Sequence, residues 1–216
     1  MDRKTAFVIC SKYTGDKMLF DNIKKIQEFH SESTIILVDS DSDNKEYLEE
    51  VSELGVIVED VQNKRYEAGA WVYAFDKYEA EFDIFVFLQD TMVLKKPLDL
   101  SQVGECDTCG FLKRQVLTFD GESKTYGWCN DSRNWAKGVG EPLWDDKNII
   151  LYNTFIIASD LMREVLHSEE FSKWPPPKDK KGSKGWERVW NHLFKQNKIK
   201  EVPLKGAIEK KFLRRN

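Results

Sequence analysis

The sequence predicts an α/β fold, a single domain with a mainly parallel central sheet flanked by helices. Three observations carry this. Short apolar runs alternate with amphipathic stretches through the first 90 residues, and alternation of this kind implies parallel strands joined by right-handed helical crossovers. The length, 216 residues, suits one core sheet with helical cover. No internal repeat and no linker divides the chain, although its texture changes near residue 100. We therefore read 1–216 as one domain of two halves, 1–100 and 101–216.

The elements follow in order. Thr5–Cys10 (TAFVIC) is a first strand. Lys17–His30 is a helix, with Met18, Phe20, Ile23, Ile26 and Phe29 near helical spacing. Thr34–Val38 (TIILV) is a second strand, ending at once in Asp39-Ser40-Asp41-Ser42-Asp43-Asn44. Lys45–Leu54 is a helix closed by Gly55. Val56–Val61 is a third strand. Glu67–Glu81 is a helix with Ala70, Ala74, Phe75 and Tyr78 inward, and Ile84–Leu88 is a fourth strand. Beyond residue 100, Val116–Phe119 and Ile149–Ala158 read as strands and Asp160–His167 as a helix. Pro175-Pro176-Pro177 and KDKKGSKG read as a loop, and Trp186–Gln196 as an amphipathic helix. The tail EKKFLRRN reads as basic and exposed.

Composition narrows the function classes. The net charge is −4, so no global basic field argues for nucleic acid. No apolar run approaches the roughly 18–20 residues that span a bilayer, and MDRKTAFVIC is too short an apolar run for a signal peptide. A cytoplasmic protein with no membrane span is the expectation. Cys106 and Cys109 form a CxxC, but no second pair or matching His pair completes a zinc set. They read as reduced thiols. Six of the 7 tryptophans fall at or after Trp128. Trp128, Trp135, Trp144, Trp174 and Trp186 lie in or near predicted loops. They could form a surface that stacks on something flat, or simply pack.

In open parallel sheets, ligands bind beyond the carboxyl ends of the strands. Polar groups arrive there: Ser11 and Lys12 after the first strand, Asp39 and Asp41 after the second, Asn63, Lys64 and Arg65 after the third, and Asp90 after the fourth. Asp39 is placed to bond ribose hydroxyls or a base NH. The alternative is a turn, with Asp43 or Asn44 capping the next helix. In NKRYEAGAW, the Arg65 fork suits a diphosphate. Gly69 opens a helix N-terminus, where unpaired NH groups favour an anion. The motif is no GxGxxG, and no Walker loop occurs. In FVFLQDTMVLKKPLDL, Asp90 follows a strand buried on both faces, where a carboxylate is costly unless paired or metal-bound.

Two of these motifs resemble those of a known family. ILVDSDSDN is similar to the second-strand VDNxSxD signature of processive and capsular glycosyltransferases. FLQDTMVLKKPLDL is similar to the FLDADTLVLxNIDEL segment of glycogenin-like enzymes. The first hundred residues thus look like a nucleotide-sugar-dependent glycosyltransferase of the GT-A fold. The resemblance implies a Rossmann-like nucleotide-binding first half and a mixed, acceptor-binding second half. It also implies transfer of a sugar from a nucleotide-diphosphate donor to a glycan or other hydroxyl acceptor. The family's DxD motif holds Mn2+ or Mg2+ on the donor's diphosphate. Here Asp90 matches its second acid, and Leu88 stands at the first. The donor-site residues so implied are Ser11, Asp39, Asp41, Arg65, Gly69 and Asp90, with Asp90 the metal ligand. Glu187, in GSKGWERVWNHLF, resembles the general base of inverting members. The alternative for it is a first-turn acid favoured by the helix dipole alone. Glu141, Asp145 and Asp146 are rivals in an acceptor loop, and His192 reads as structural. Two other functions compete. One is a non-catalytic binding domain derived from a glycosyltransferase. The other is a sugar nucleotidyltransferase, disfavoured by the single glycine of SKYTGDK.

Overall fold

The computed structural model describes residues 3–13, 15, 17–104, 113–119, 135 and 150–211. Its main sheet has seven strands: β1 (Thr5–Ser11), β2 (Thr34–Asp39), β3 (Ile57–Glu59), β4 (Ile84–Gln89), β6 (Gln115–Phe119), β7 (Phe155–Ala158) and β8 (Lys200–Leu204). Their order is β3-β2-β1-β4-β7-β6-β8. A two-stranded sheet pairs β5 (Met92–Leu94) with β9 (Ile208–Lys210). The helices are α1 (Met18–Phe29), α2 (Tyr47–Glu53), α3 (Tyr66–Tyr78), α4 (Ser159–Leu166), α5 (Glu169–Ser172) and α6 (Lys180–Gln196). The expected α/β fold with a mainly parallel sheet is what forms. The pairings of β1 with β2, β1 with β4, β2 with β3 and β6 with β8 are parallel. Among the described strands of the main sheet, only β7 runs antiparallel to its neighbours, while β5 and β9 pair antiparallel in the small sheet.

The first half forms as its periodicity dictates. Every residue of β1 is buried, and β4 is buried up to Gln89, as a parallel strand covered on both faces should be. Ala70, Ala74, Phe75 and Tyr78 of α3 are buried, as their spacing requires. Gly55, at φ 78°, ends α2 in the left-handed conformation that glycine adopts at least cost. Aromatic rings join the halves. Phe87 lies 5.1 Å from Trp71 and 5.1 Å from Phe155, and Phe155 lies 5.2 Å from both Trp190 and Phe194. Each such ring contributes roughly 2–3 kcal/mol by leaving water.

The second half departs from the sequence reading in three places. The last helix begins at Lys180, so much of the expected KDKKGSKG loop is its first turns. Asp179 caps it, accepting from the Gly182 amide at 2.7 Å. Its glycines make room for a neighbour: a Cβ on Gly185 would lie 2.2 Å from Trp135. Next, the expected strand Ile149–Ala158 is a strand only from Phe155. Before it the chain turns through Tyr152 (φ 56°) and Asn153 (φ 52°). Tertiary bonds hold that turn. Trp71 Nε1 donates to the Asn153 carbonyl at 2.9 Å, and the Tyr152 amide donates to Glu187 Oε1 at 3.1 Å. Finally, the first residues of the expected exposed tail belong to β9, where Lys210 pairs with Met92.

Candidate functional site

Parallel pairing brings the strand ends together. The Ser40 amide donates to the Ser11 carbonyl, and the Asp90 amide to the Cys10 carbonyl at 3.1 Å. Ser11 Oγ donates to Asp90 Oδ2 at 3.0 Å. Past these ends lies a cleft of about 410 Å³. It is lined by Ser40, Asp41, Asn63 and Lys64 from the ends of β2 and β3, and by Tyr66, Glu67, Gln89 and Asp90, with Cys10, Lys12 and Lys178 completing the lining. Two wall residues, Asp41 (φ 59°) and Tyr66 (φ 54°), hold left-handed backbone conformations. For a residue as bulky as Tyr66 this is strain, held by Asn63 Nδ2 donating to the Tyr66 carbonyl at 2.7 Å.

Around Asp90, three carboxylates and one ammonium interact: Asp90 and Glu67 line the cleft, and Glu187 and Lys210 are not in its lining. Burial lifts the Asp90 carboxyl to a pKa of about 6. Ser11 and Lys210 pull it down, while Glu67 pushes it up. Burial lifts Glu187 further, to about 8, against the Tyr152 amide and with Glu67 adding to the rise. Glu67 ties three elements together, accepting from Gln89 Nε2 at 2.5 Å and from Ser183 Oγ at 2.7 Å. Lys210 donates to Gln89 Oε1 and, at 2.5 Å, to Thr91 Oγ1, the residues on either side of Asp90. Its ammonium lies 4.6 Å from the centre of the Tyr152 ring. Burial lowers the Lys210 pKa, and Asp90, Glu67 and Glu187 each oppose that shift.

The structure sorts the residues expected from sequence. Asp41 and Asp90 line the cleft, and Ser11 is buried, reaching it only through its bond to Asp90. Asp39 lies beneath it, fully buried, accepting from Tyr47 Oη at 2.5 Å, the Ser42 amide at 3.0 Å, and Lys45. Burial raises its proton affinity, but these donors outweigh it and hold the carboxyl below the usual range. It anchors the loop that carries Asp41 into the wall. Arg65 is exposed and its neighbour Lys64 takes the wall position. Gly69 is explained by packing, because a Cβ there would lie 2.4 Å from Arg65 Cβ and 2.5 Å from Asn63 Oδ1. Asn44 accepts from the Glu46 amide at 2.8 Å, at the turn leading into α2. Glu187 sits well inside α6, since that helix begins at Lys180. The first-turn dipole explanation for it therefore falls away.

Trp174 and Trp186 are core residues, 4% and 2% exposed, so they offer no stacking surface. Trp135 packs on α6 at Gly185. His192 is structural, 2.9 Å from Glu170 Oε1 and edge-on to Trp174. Glu141, Asp145, Asp146, Trp128, Trp144, Cys106 and Cys109 lie outside the described residues. Sequence reasoning missed Glu67, Lys178 and Lys210. Glu67 was within reach, inside the NKRYEAGAW motif singled out for its arginine and glycine. Nothing local marks Lys210, whose position depends on a strand pairing across more than a hundred residues.

The divalent ion implied by the DxD resemblance needs several oxygen donors around it. Leu88, in the place of the first acid, is fully buried in the core and cannot turn toward such an ion. Among the described residues no three His, Cys, Asp or Glu side chains converge as a metal set. The ammonium of Lys210 bonds instead to Gln89 and Thr91, on either side of Asp90, and acts on Asp90 electrostatically. These residues do not fit the ion.

No protein-family model matches the sequence, and no curated protein is similar to it. Solved structures are. S. aureus TarS superposes with a TM-score of 0.57 at 14% identity, over 95% of this chain and 36% of TarS. The chain thus spans about a third of that protein. Glucosyl-3-phosphoglycerate synthase from Mycobacterium tuberculosis, in complex with phosphoglyceric acid, gives 0.59 at 15% identity over 98% of this chain and 73% of that one. The same enzyme with Mn2+, UDP and glucosyl-3-phosphoglycerate gives 0.60 at 14% identity. The fold of this chain is the GT-A fold that the sequence motifs resemble.

Proposed function

We propose that the protein is a glycosyltransferase that moves a sugar from a nucleotide-diphosphate donor to a hydroxyl acceptor. The observation that carries this reading is the cleft at the carboxyl edge of the parallel sheet, whose lining holds Asp90 together with Lys12, Lys64 and Lys178. Ligands of such sheets bind at this edge, and a diphosphate needs cations around it. The nucleoside would lie toward Ser40, Asp41 and Asn63, and the diphosphate toward Asp90. The complexes of glucosyl-3-phosphoglycerate synthase with UDP support a donor of this class. The acceptor would enter from the second half.

In the transfer, an acceptor oxygen bonds to the anomeric carbon as the bond to the diphosphate breaks. The nucleoside diphosphate leaves, and a base takes the acceptor's proton. Glu187 is our candidate for that base if the reaction inverts, with Asp146 its rival. Glu187 holds its own proton below a pH of about 8, so a rate that depends on it rises through pH 8. Glu187→Gln should remove the rise, whereas Glu67→Gln, which takes away one cause of the raised Glu187 pKa, should keep the rise and move it to lower pH.

The deciding experiment is release of nucleoside diphosphate from UDP- and GDP-sugars, with and without an acceptor mixture. Wild type should turn over at least one donor. Asp90→Asn should cut the rate at least a hundredfold while its circular dichroism is unchanged. Donor binding without turnover would instead favour a binding domain derived from a glycosyltransferase, the function that the missing acid at Leu88 leaves in competition.

A further inference from the structure

We propose that Lys210 is the built-in counter-ion of the donor's diphosphate, supplying beside Asp90 the positive charge that a divalent ion would otherwise bring. This rests on the donor-binding reading above and deepens it. The first support is placement. Antiparallel pairing sets Lys210 opposite Met92, and the Lys211 amide donates to the Thr91 carbonyl at 3.0 Å. The strand register therefore delivers the ammonium to Gln89 and Thr91, the residues flanking Asp90.

The second support is charge. A diphosphate entering at Asp90 meets a carboxylate there and a second, Glu67, in the same lining. Lys12, Lys64 and Lys178 line the cleft, and Lys210, bonded to the residues flanking Asp90, adds a fourth cation at the end where these two carboxylates repel the phosphates. Lys210 is half-buried and interacts electrostatically with Asp90, Glu67 and Glu187, yet among the described residues it forms no direct ion pair with any of them. Its hydrogen bonds go to two neutral oxygens, which give up an ammonium to an anion more readily than a carboxylate would. The third support is Leu88, whose burial removes the acid that a second metal bond would need.

The test is calorimetric titration of UDP, GDP, CDP and ADP into wild type, Lys210→Met and Lys210→Arg, in EDTA and again in Mn2+. We expect wild type to bind at least one nucleotide in EDTA, with Mn2+ changing Kd less than threefold. Lys210→Met should weaken binding at least tenfold, and Lys210→Arg less than threefold, with thermal melts confirming that each folds. Binding that needs Mn2+, or that Lys210→Met leaves unchanged, overturns the counter-ion and leaves the donor reading standing. Binding of no nucleotide under either condition overturns both. Should Lys210→Met not fold, the wild-type comparison between EDTA and Mn2+ decides alone.

Discussion

Glu187 is 6% exposed, and burial holds its proton on up to a pH of about 8. In the unfolded chain the same carboxyl ionises near its ordinary value of 4.5. Between those limits the folded state binds more protons than the unfolded state, so stability falls as pH rises. The slope approaches roughly 1 kcal/mol per pH unit. Asp90 adds to it in the same direction, between its ordinary value and about 6. Glu187→Gln keeps an oxygen for the Tyr152 amide and has no charge to bury. Urea melts should show that variant more stable than wild type at pH 8 and nearly equal to it at pH 5. Equal stability at both values would mean that Glu187 is ionised in the fold. Asp39 carries the opposite sign. Its donors hold it below its ordinary range, so its contribution is present at neutral pH and is lost as acid protonates it.

Helix α6 is where local chemistry and tertiary packing are easiest to separate. Its cap is local: Asp179→Ala should cost about 1 kcal/mol, the usual worth of an N-cap. Its glycines answer to a neighbour. Gly185→Ala would set a methyl group 2.2 Å from the Trp135 ring. Intrinsic helix propensity favours alanine over glycine by about 1 kcal/mol, so an isolated helix would gain from the change. In the protein we expect a loss of about 2 kcal/mol or more instead, because the ring must move. Thermal melts of the two variants check both signs. The same conflict explains why KDKKGSKG reads as loop. Glycine and charged residues weaken the helical pattern, and the reason for the glycines lies outside the segment.

At the scale of the whole molecule, β7 joins the halves. It is inserted antiparallel between β4 of the first half and β6 of the second, and Phe155 on it touches Phe87 on one side and Trp190 and Phe194 on the other. One sheet and one aromatic core then serve both halves, so 1–216 should unfold as a single unit. We expect coincident transitions by circular dichroism and tryptophan fluorescence. Phe155→Ala should lower stability by about 3–5 kcal/mol without splitting the transition. Two separated transitions would show that the halves are independent domains. No helix among the described residues is long and apolar enough to cross a membrane.

The alternation of strands and helices in the first half, and the edge where Ser11, Asp41 and Asp90 gather, are legible in the residues alone. Both follow from periodicity and from the rule that parallel strands present their carboxyl ends together, and neither needs a distant contact. What each polar group at that edge does is set by contacts made in the folded chain. Asp39 is claimed by Tyr47, Lys45 and Ser42 beneath the cleft, and Arg65 is left in solvent while Lys64 takes the wall. Glu67 enters the site through bonds to β4 and α6. Lys210 reaches Gln89 and Thr91 because β9 pairs with β5 across more than a hundred residues, and a pairing at that distance leaves no local signature. Asp90, conspicuous in the sequence as a lone acid after a buried strand, therefore lies in the field of a cation that only the folded chain brings to its two neighbours.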